Sequence, residues 1–249
     1  MTSRAKTSLL PLADSDLWPD ELRRSLSDKL FTIAFGAIQW PWLLRSLSGG
    51  RKADKARLMA DLGLAPDALP NLGSWKADTG YLSLIVERIA ASRPRTVVEL
   101  GTGASSLVTG AALAGHGGGQ LISFDQHAGF VDATRDWLAE HGIAADLRAA
   151  PLVEAPGDWP GVWYDIDALP DQVDLLLIDG PPWTIHPYVR GAAETLFDRL
   201  PVGGVVMLDD GARPGERVVA QRWRRRWPNF RFELVNRGTK GTLIGQRLS

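Results

Sequence analysis

The chain has 249 residues, enough for one large α/β domain with a small appendage, and its composition is that of an ordinary globular protein. Its formal net charge of -1 gives no global attraction to nucleic acid or to an anionic membrane. The absence of cysteine excludes disulfides, zinc–thiolate sites and cysteine nucleophiles.

The N-terminal residues 1–74 are predicted to form a helical extension to a main domain over residues 75–249. This part contains no signal-peptide-like apolar region and no stretch as long as a membrane span, so we expect a cytoplasmic protein. Segment 30–47 is apolar and aromatic, and Pro41 within it predicts two short helices or one kinked helix. Its apolar side would pack on the main domain, line a substrate entrance, join a homodimer or lie on a membrane surface. Packing is favoured because apolar helical stripes usually meet a protein core.

Two further helices are predicted before residue 96, where strands and helices begin to alternate. Residues 49–64 indicate a loop followed by a short helix, and residues 66–73 a turn-rich connector. Residues 81–91 have helical spacing and end before Pro94.

From residue 96 onward, apolar strand segments alternate with helical segments. Strands are predicted at 96–100, 121–125, 145–149, 173–179 and 205–209, and helices at 104–114, 130–140, 188–200 and 216–227. This alternation predicts a Rossmann-like, doubly wound and mostly parallel sheet covered on both faces. The last two strand segments, 230–235 and 241–245, have no helix between them and predict a C-terminal antiparallel hairpin.

A glycine loop follows the first strand, where parallel sheets bind their ligands. Gly101 and Gly103 let the backbone turn tightly, and the next helix points its N-terminal amides at the ligand. Ser106 stands where a dinucleotide fingerprint usually has its third glycine. Glu99 would repel a pyrophosphate but suits a ligand with an ammonium and a sulfonium. The loop therefore favours S-adenosylmethionine (SAM) over NAD.

The second strand ends in Asp125, 24 positions after Gly101. That offset is close to the one expected for an acid that binds ribose hydroxyls. A carboxylate can accept hydrogen bonds from both hydroxyls of an adenosine ribose. Because NAD and SAM share the ribose, Asp125 supports nucleoside binding without distinguishing the two.

Four segments carry a resemblance to a known family: VVELGTGASS, LISFDQ, VDLLLIDGPP and LPVGGVVMLDD. In order and spacing they resemble the motifs of class I SAM-dependent methyltransferases, over about residues 75–245. The D-G-P-P and L-D-D-x-x-R-P-G-E runs look like a bacterial small-molecule branch, distantly similar to catechol and caffeoyl-CoA O-methyltransferases. The resemblance implies SAM as cofactor, its amino acid end on the glycine loop and its adenine near residues 150–152. The cofactor-binding candidates are Glu99, Gly101, Thr102, Gly103, Ser105, Ser106, Asp125, Gln126, Ala150 and Asp179.

Acids also end the next two strands, at Asp179, Asp209 and Asp210. Neighbouring strand ends would bring these three carboxylates together, and oxygen ligands of this kind suit Mg²⁺. A metal there would lower the pKa of a substrate hydroxyl. The resemblance implies such a site in part, because metal-dependent O-methyltransferases carry Asp-Asn where this chain has Asp209-Asp210. They also carry a lysine where this chain has Pro182. The alternative is that the acids cap loops and helices.

Without a metal, a general base must take the proton of the acceptor. His186, on the loop after Asp179, is the candidate base, and both residues are predicted to be catalytic. The expected substrate is a small molecule methylated on a hydroxyl oxygen. Aromatic side chains could cover the site, or serve only in packing: Trp75, Tyr81, Trp163, Tyr164 and Trp183.

Segment 222–227 alternates arginine and tryptophan, a pattern also found in nucleic-acid-binding proteins. Trp223 and Trp227 lie four residues apart, which predicts two buried rings with arginines on the solvent side and no nucleic-acid partner. Two other functions stay open. One is a SAM-binding scaffold without catalysis, and the other an NAD-dependent oxidoreductase, which Ser106 and the lack of a Tyr-x-x-x-Lys pair disfavour.

Overall fold

The computed structural model describes residues 26–69 and 71–249. Its α-helices are α1 (Leu26–Ser46), α2 (Lys52–Asp61), α3 (Thr79–Ser92), α4 (Ala104–Gly115), α5 (Ala128–Glu140) and α6 (Pro214–Arg226), with a 3₁₀ helix at Val189–Arg199. The strands are β1 (Thr96–Leu100), β2 (Gln120–Asp125), β3 (Asp146–Ala149), β4 (Leu152–Glu154), β5 (Val162–Tyr164), β6 (Leu175–Ile178), β7 (Val205–Leu208), β8 (Phe230–Val235) and β9 (Thr242–Arg247).

Seven strands form one sheet in the order β3-β2-β1-β6-β7-β9-β8. The first five in that row are parallel, and β9 pairs antiparallel with both β7 and β8. The predicted Rossmann-like sheet with a C-terminal antiparallel hairpin is therefore confirmed. The strand order reverses between β1 and β6, and this switch opens a crevice at the carboxyl ends of the strands.

Both faces of the sheet are buried, as its apolar strands require. All five residues of β1 are buried, and they alternate between the two faces. Val98 and Leu100 lie in the cluster that includes the 3₁₀ helix and α6, while Val97 lies in the cluster of α3, α4 and α5. Alternation of this kind gives each face its own core, which holds the strand ends rigidly in place.

Three local features settle an alternative of the sequence prediction or differ from it. Helix α1 runs through Pro41 as one element, so of the two alternatives, two short helices or one kinked helix, the structure has a single helix. Segment 188–200, predicted as an ordinary helix, is a 3₁₀ helix in which Gly191 lies so close to the Trp159 ring that an added Cβ would be 2.1 Å from it. This contact favours the tighter helix. The short hairpin of β4 and β5 was not predicted, because three-residue strands carry no readable period.

Helix α1 packs along one side on the loop after β6. Phe31 stacks on His186, Phe35 contacts Tyr188 edge-on, and Gly36 lies against Trp183. The opposite side of α1 exposes large apolar side chains: Leu26, Leu30, Ile33, Ile38, Trp40 and Leu44. No helix in residues 26–69 or 71–249 is long and apolar enough to cross a membrane.

The described part of the N-terminal extension also reaches the main core. Leu58 and Met59 of α2 and Leu69 of the connector belong to the same buried cluster as α3, α4 and the sheet. Helix α2 therefore buries its apolar side in the core of the main domain. The division of the chain between residues 74 and 75 stays a prediction.

Candidate functional site

The sheet register places the candidate residues side by side. Leu100 of β1 pairs with Phe124 of β2 and with Ile178 of β6, and Ile178 pairs with Leu208 of β7. The next residue along each strand is therefore at the same level, at the mouth of the crevice. These residues are Gly101, Asp125, Asp179 and Asp209.

Glu99 is buried beneath the glycine loop and holds it in shape. Its Oε2 accepts hydrogen bonds from Ser106 Oγ at 2.5 Å and from Ser123 Oγ at 2.6 Å. Ser106 Oγ in turn accepts from the N–H of Gly103 at 3.0 Å. Burial raises the pKa of Glu99 from 4.5 to about 7, against the opposing effect of hydroxyl groups that include Ser105. Its other oxygen, Oε1, is buried with no partner among the described residues.

The loop itself requires glycine at Gly101. Its φ of 97° is in the region that other residues rarely adopt, and an added Cβ would be 2.8 Å from the backbone nitrogen of Gly180. At Gly103, with φ of 143°, an added Cβ would meet only the edge of Phe130 at 3.8 Å. The loop is therefore packed on its β6 side and open above Gly103.

Asp125 ties the loop to the end of β2. Its carboxylate accepts from the N–H of Thr102 at 3.2 Å and from the N–H of His127 at 3.0 Å. Burial raises the pKa of Asp125 to about 6, although these backbone donors act in the opposite direction. Ala150 is buried beside it, donating its N–H to the Asp125 carbonyl at 2.9 Å, and Gln126 follows half-buried.

The acids at the ends of β6 and β7 come together. One carboxylate oxygen each from Asp179, Asp209 and Asp210 lies within 4.8 Å of the others. Burial raises the pKa of Asp179 to about 6, and the neighbouring Asp209 raises it further. Burial likewise raises the pKa of Asp209. The Asp179 side chain keeps 13% of its surface exposed, whereas that of Asp209 keeps none.

Two buried arginines, not identified from the sequence, face this cluster. Arg190 of the 3₁₀ helix contacts Asp179 Oδ1 at 3.2 Å and Asp210 Oδ2 at 3.1 Å. Arg213, before α6, is paired with Asp210 and lies 3.6 Å from Glu216. Burial lowers the pKa of Arg213 to about 10, which keeps the guanidinium charged at neutral pH.

A lysine, also not identified from the sequence, completes the cluster from the loop between β8 and β9. Lys240 Nζ lies 3.4 Å from Asp209 Oδ2 and 3.6 Å from Asp210 Oδ1, and it donates to the Lys76 carbonyl at 2.8 Å. Nothing in the local sequence around this turn signals such a position. The lysine reaches the site only because β9 inserts beside β7.

His186, the predicted base, is 5% exposed and stacks on Phe31 of α1. Its Nδ1 accepts the N–H of Tyr188 at 3.1 Å. A ring that accepts at Nδ1 carries its proton on Nε2 and offers a donor there. In this arrangement His186 holds the loop after β6 under α1.

Two tyrosine hydroxyls are buried at the crevice with no partner among the described residues. Tyr164 Oη lies against Gly180, since an added Cβ there would be 2.2 Å from it. Burial raises the pKa of Tyr164, with Asp125 acting in the same direction. Burial also raises that of Tyr81, helped by Asp179 and Asp209. Both rings were predicted near the site; the position of their hydroxyls beside the acids was not.

The arginine–tryptophan run on α6 has a structural explanation. Trp223 is fully buried and donates Nε1–H to the Gly191 carbonyl at 2.9 Å, which matches the predicted buried face. Arg226 pairs with Asp158 and, at 2.5 Å, with Glu194. Arg222 likewise lies 3.6 Å from Asp158, so two of the arginines of this run pair with acids of the same chain.

Comparison with known proteins gives a family-model match and several similar folds. A model described as a methyltransferase domain matches residues 98–211, the stretch from β1 to the end of β7. No match was found among curated protein sequences.

Solved structures with a similar fold include several O-methyltransferases. One from Bacillus cereus in complex with SAH has a TM-score of 0.54 at 12% identity, covering 88% of this chain and 100% of its own. TomG from Streptomyces achromogenes, in complex with SAM, has a TM-score of 0.51 at 13% identity, covering 90% and 100%. PaMTH1 from Podospora anserina, bound to SAH, has a TM-score of 0.52 at 12% identity, covering 98% and 100%. At these identities the likeness is one of fold.

Proposed function

We propose that this chain, a class I methyltransferase by its domain match and its sheet, transfers the methyl group of SAM to a hydroxyl oxygen of a small molecule. One observation carries the proposal. Gly101, Asp125 and Asp179 lie side by side at the carboxyl ends of neighbouring strands, where the strand order reverses, and the buried Glu99 lies beneath them. The glycine loop, the carboxylate expected to bind the ribose and the carboxylate at the end of β6 therefore lie together where this fold binds its ligands.

The residues present fit SAM. Glu99 Oε1 is a buried acceptor with no hydrogen-bond partner among the described residues, as a site for an ammonium requires. The carboxylate of Asp125 retains lone pairs for the ribose hydroxyls beyond the two backbone bonds that it accepts. The opening above Gly103 leaves room for a ligand to approach the backbone. When bound, SAM supplies an electrophilic methyl group on a sulfonium.

We assign the proton-accepting role to Asp179. Its pKa of about 6 is close to the working pH of a general base, and its side chain is the exposed one beside the fully buried Asp209. Arg190 fixes one oxygen of Asp179 and would orient the carboxylate. His186 remains a second candidate, although its Nδ1 lone pair is already used by Tyr188.

The acceptor would lie between this carboxylate and helix α1. The loop after β6 runs from Asp179 towards α1 and includes Trp183, whose ring packs on Gly36 of α1. Trp183 also lies parallel to Trp75, with ring centroids 6.4 Å apart. Aromatic walls of this kind suit a flat, partly apolar acceptor and exclude water from the transfer.

Calorimetric titration with SAM tests the proposal. We expect wild-type protein to bind SAM, and Asp125→Asn to weaken the binding by about tenfold or more, because a charge-assisted hydrogen bond contributes roughly 1.5–3 kcal/mol. The matched control is Asp132→Asn, which removes an equal charge from an exposed ion pair on α5. It should leave the affinity for SAM unchanged.

Three outcomes separate the candidate functions. SAM binding with SAH release on incubation with a panel of phenols and other alcohols supports the methyltransferase. SAM binding without release for any acceptor class favours the scaffold. Folded protein that does not bind SAM, or that binds NAD instead, overturns the proposal.

A further inference from the structure

We infer that the ammonium of Lys240 is the resident cation of the acidic cluster, and that it excludes a divalent metal from the three aspartates. The consequence for catalysis, methyl transfer without Mg²⁺, rests on the proposed function. The exclusion of the metal does not.

Lys240 contacts two of the three aspartates that could hold a metal. Its Nζ lies 3.4 Å from Asp209 and 3.6 Å from Asp210, the two consecutive acids at the end of β7. The side chain of Lys240 is 1% exposed, so its charge is compensated only by groups of the protein. A metal ion entering between these carboxylates would meet the ammonium at close range.

Lys240 is held there by its backbone. Asp78 Oδ2 accepts from the N–H of Thr239 at 2.5 Å, from its hydroxyl at 2.9 Å and from the N–H of Lys240 at 3.2 Å. Asp78 also caps α3, since its Oδ1 accepts from the N–H of Tyr81 at 2.8 Å. Gly238 lies on this carboxylate so closely that an added Cβ would be 2.4 Å from Oδ2. The loop is therefore tied to the start of α3 and keeps the lysine in place.

The charges of the cluster argue in the same direction. Four carboxylates, the three aspartates and Glu216, face three cations: Arg190, Arg213 and Lys240. With all of these groups ionised, the ion-paired cluster carries one negative charge, so the three cations already neutralise most of the charge that a divalent ion would need. Asp78, which also raises the pKa of Asp209, lies outside these ion pairs. Without Lys240 the ion-paired cluster would carry two negative charges, and Asp209 and one oxygen of Asp210 would lose their ion-pair partner. The lysine thus decides whether the aspartates suit a metal.

Both arginines remain paired whichever residue stands at position 240. They hold Asp179 Oδ1 and Asp210 Oδ2, which leaves Asp209 Oδ1 as an acceptor with no partner among the described residues. A metal would find its ligands mainly among the oxygens that Lys240 now contacts. Replacing this one side chain should therefore be enough to open the site.

Mn²⁺ binding, followed by the loss of the free-ion EPR signal, tests the inference without SAM or acceptor. Wild-type protein should not bind Mn²⁺ up to millimolar concentrations. Lys240→Ala should bind at least about tenfold more tightly, because it removes a unit charge within hydrogen-bonding distance of the ligands. Lys55→Ala is the matched control, since its ammonium also donates to a backbone carbonyl, that of Leu69 at 2.7 Å. It should bind as little as the wild type.

Lys240→Gln covers the case in which the alanine variant does not fold, because the amide can still donate to the Lys76 carbonyl while carrying no charge. Saturable Mn²⁺ binding by the wild-type protein would overturn the inference, as would a folded Lys240 variant with no gain in affinity. Where methyl transfer can be measured, a chelator should leave the wild-type rate unchanged. Loss of activity with the chelator would count against metal independence, whereas failure to bind SAM would count only against the proposed function.

Discussion

Replacing Glu99 by glutamine should make the ligand-free protein more stable at neutral pH while weakening its hold on SAM. The hydroxyls of Ser106 and Ser123 both donate to the same oxygen of Glu99, Oε2, so the carbonyl oxygen of a glutamine can accept both. The amide nitrogen would stand where Oε1 now lies without a partner among the described residues. The substitution therefore removes the charge and changes the shape very little.

The size of the effect follows from the raised pKa. In the folded protein the pKa of Glu99 rises from 4.5 to about 7, so the folded state binds a proton more tightly than the unfolded chain. The stability that this proton contributes is full below about pH 4.5 and is lost as the pH rises to about 7. At about 1.4 kcal/mol for each pKa unit, the loss is up to about 3 kcal/mol. The glutamine variant has no proton to lose.

Urea unfolding, followed through tryptophan fluorescence, measures the difference. The free energy of unfolding of Glu99→Gln relative to wild type should grow by up to about 3 kcal/mol between about pH 5 and about pH 8. Asp125 and Asp179 also titrate in this range in both proteins. Because the charge of Asp179 contributes to the raised pKa of Glu99, the contribution of Asp179 cancels only in part. The control is Glu154→Gln, which removes an exposed carboxylate. A difference that stays constant across this range would refute the argument, because Glu99 would then be ionised in the folded state throughout.

Three further substitutions test the packing around the site. Gly101→Ala should lower the free energy of unfolding by about 2 kcal/mol or more and abolish SAM binding, because position 101 has a positive φ and no room for a Cβ. Urea unfolding and calorimetric titration measure the two effects, and an unchanged affinity for SAM would contradict the prediction. Trp223→Phe should lower the free energy of unfolding by about 2–3 kcal/mol, since it removes the hydrogen bond to the Gly191 carbonyl and leaves a gap in a full core; a change near zero in urea unfolding would contradict this. Asp78→Ala should speed amide hydrogen exchange at Thr239 and Lys240, and unchanged protection would show that the loop is held by other contacts.

The sheet and the positions of the glycine loop, Glu99 and Asp125 within it could be predicted because their signals are local. The apolar run of β1 and the glycines that follow it define both the strand and the loop, and the structure has β1 at Thr96–Leu100 as expected. The mostly parallel sheet and the closing hairpin followed from the same alternation of strands and helices. Glu99 and Asp125 could be placed because each ends or nearly ends a strand.

The cations of the cluster could not be predicted, because they come from three separate parts of the chain. Arg190, Arg213 and Lys240 lie on a 3₁₀ helix, before α6 and in a hairpin loop, and only the packed fold brings them together. The sequence showed three acids, which left open either a metal site or carboxylates that cap loops and helices. Whether acids at strand ends meet a metal or a lysine depends on tertiary contacts that no spacing reveals.

The placement of β9 between β7 and β8 has a consequence for how the protein matures during synthesis. The edge of β7 has no neighbour until residues 242–247 have been made, because β8 pairs only with β9 in the finished sheet. A nascent chain that has made its glycine loop and its aspartates but not yet residue 240 lacks Lys240, the ion-pair partner that Asp209 has among the described residues. Because Lys240 lies just before β9, the strand that covers the edge of β7 also brings this cation to the cluster.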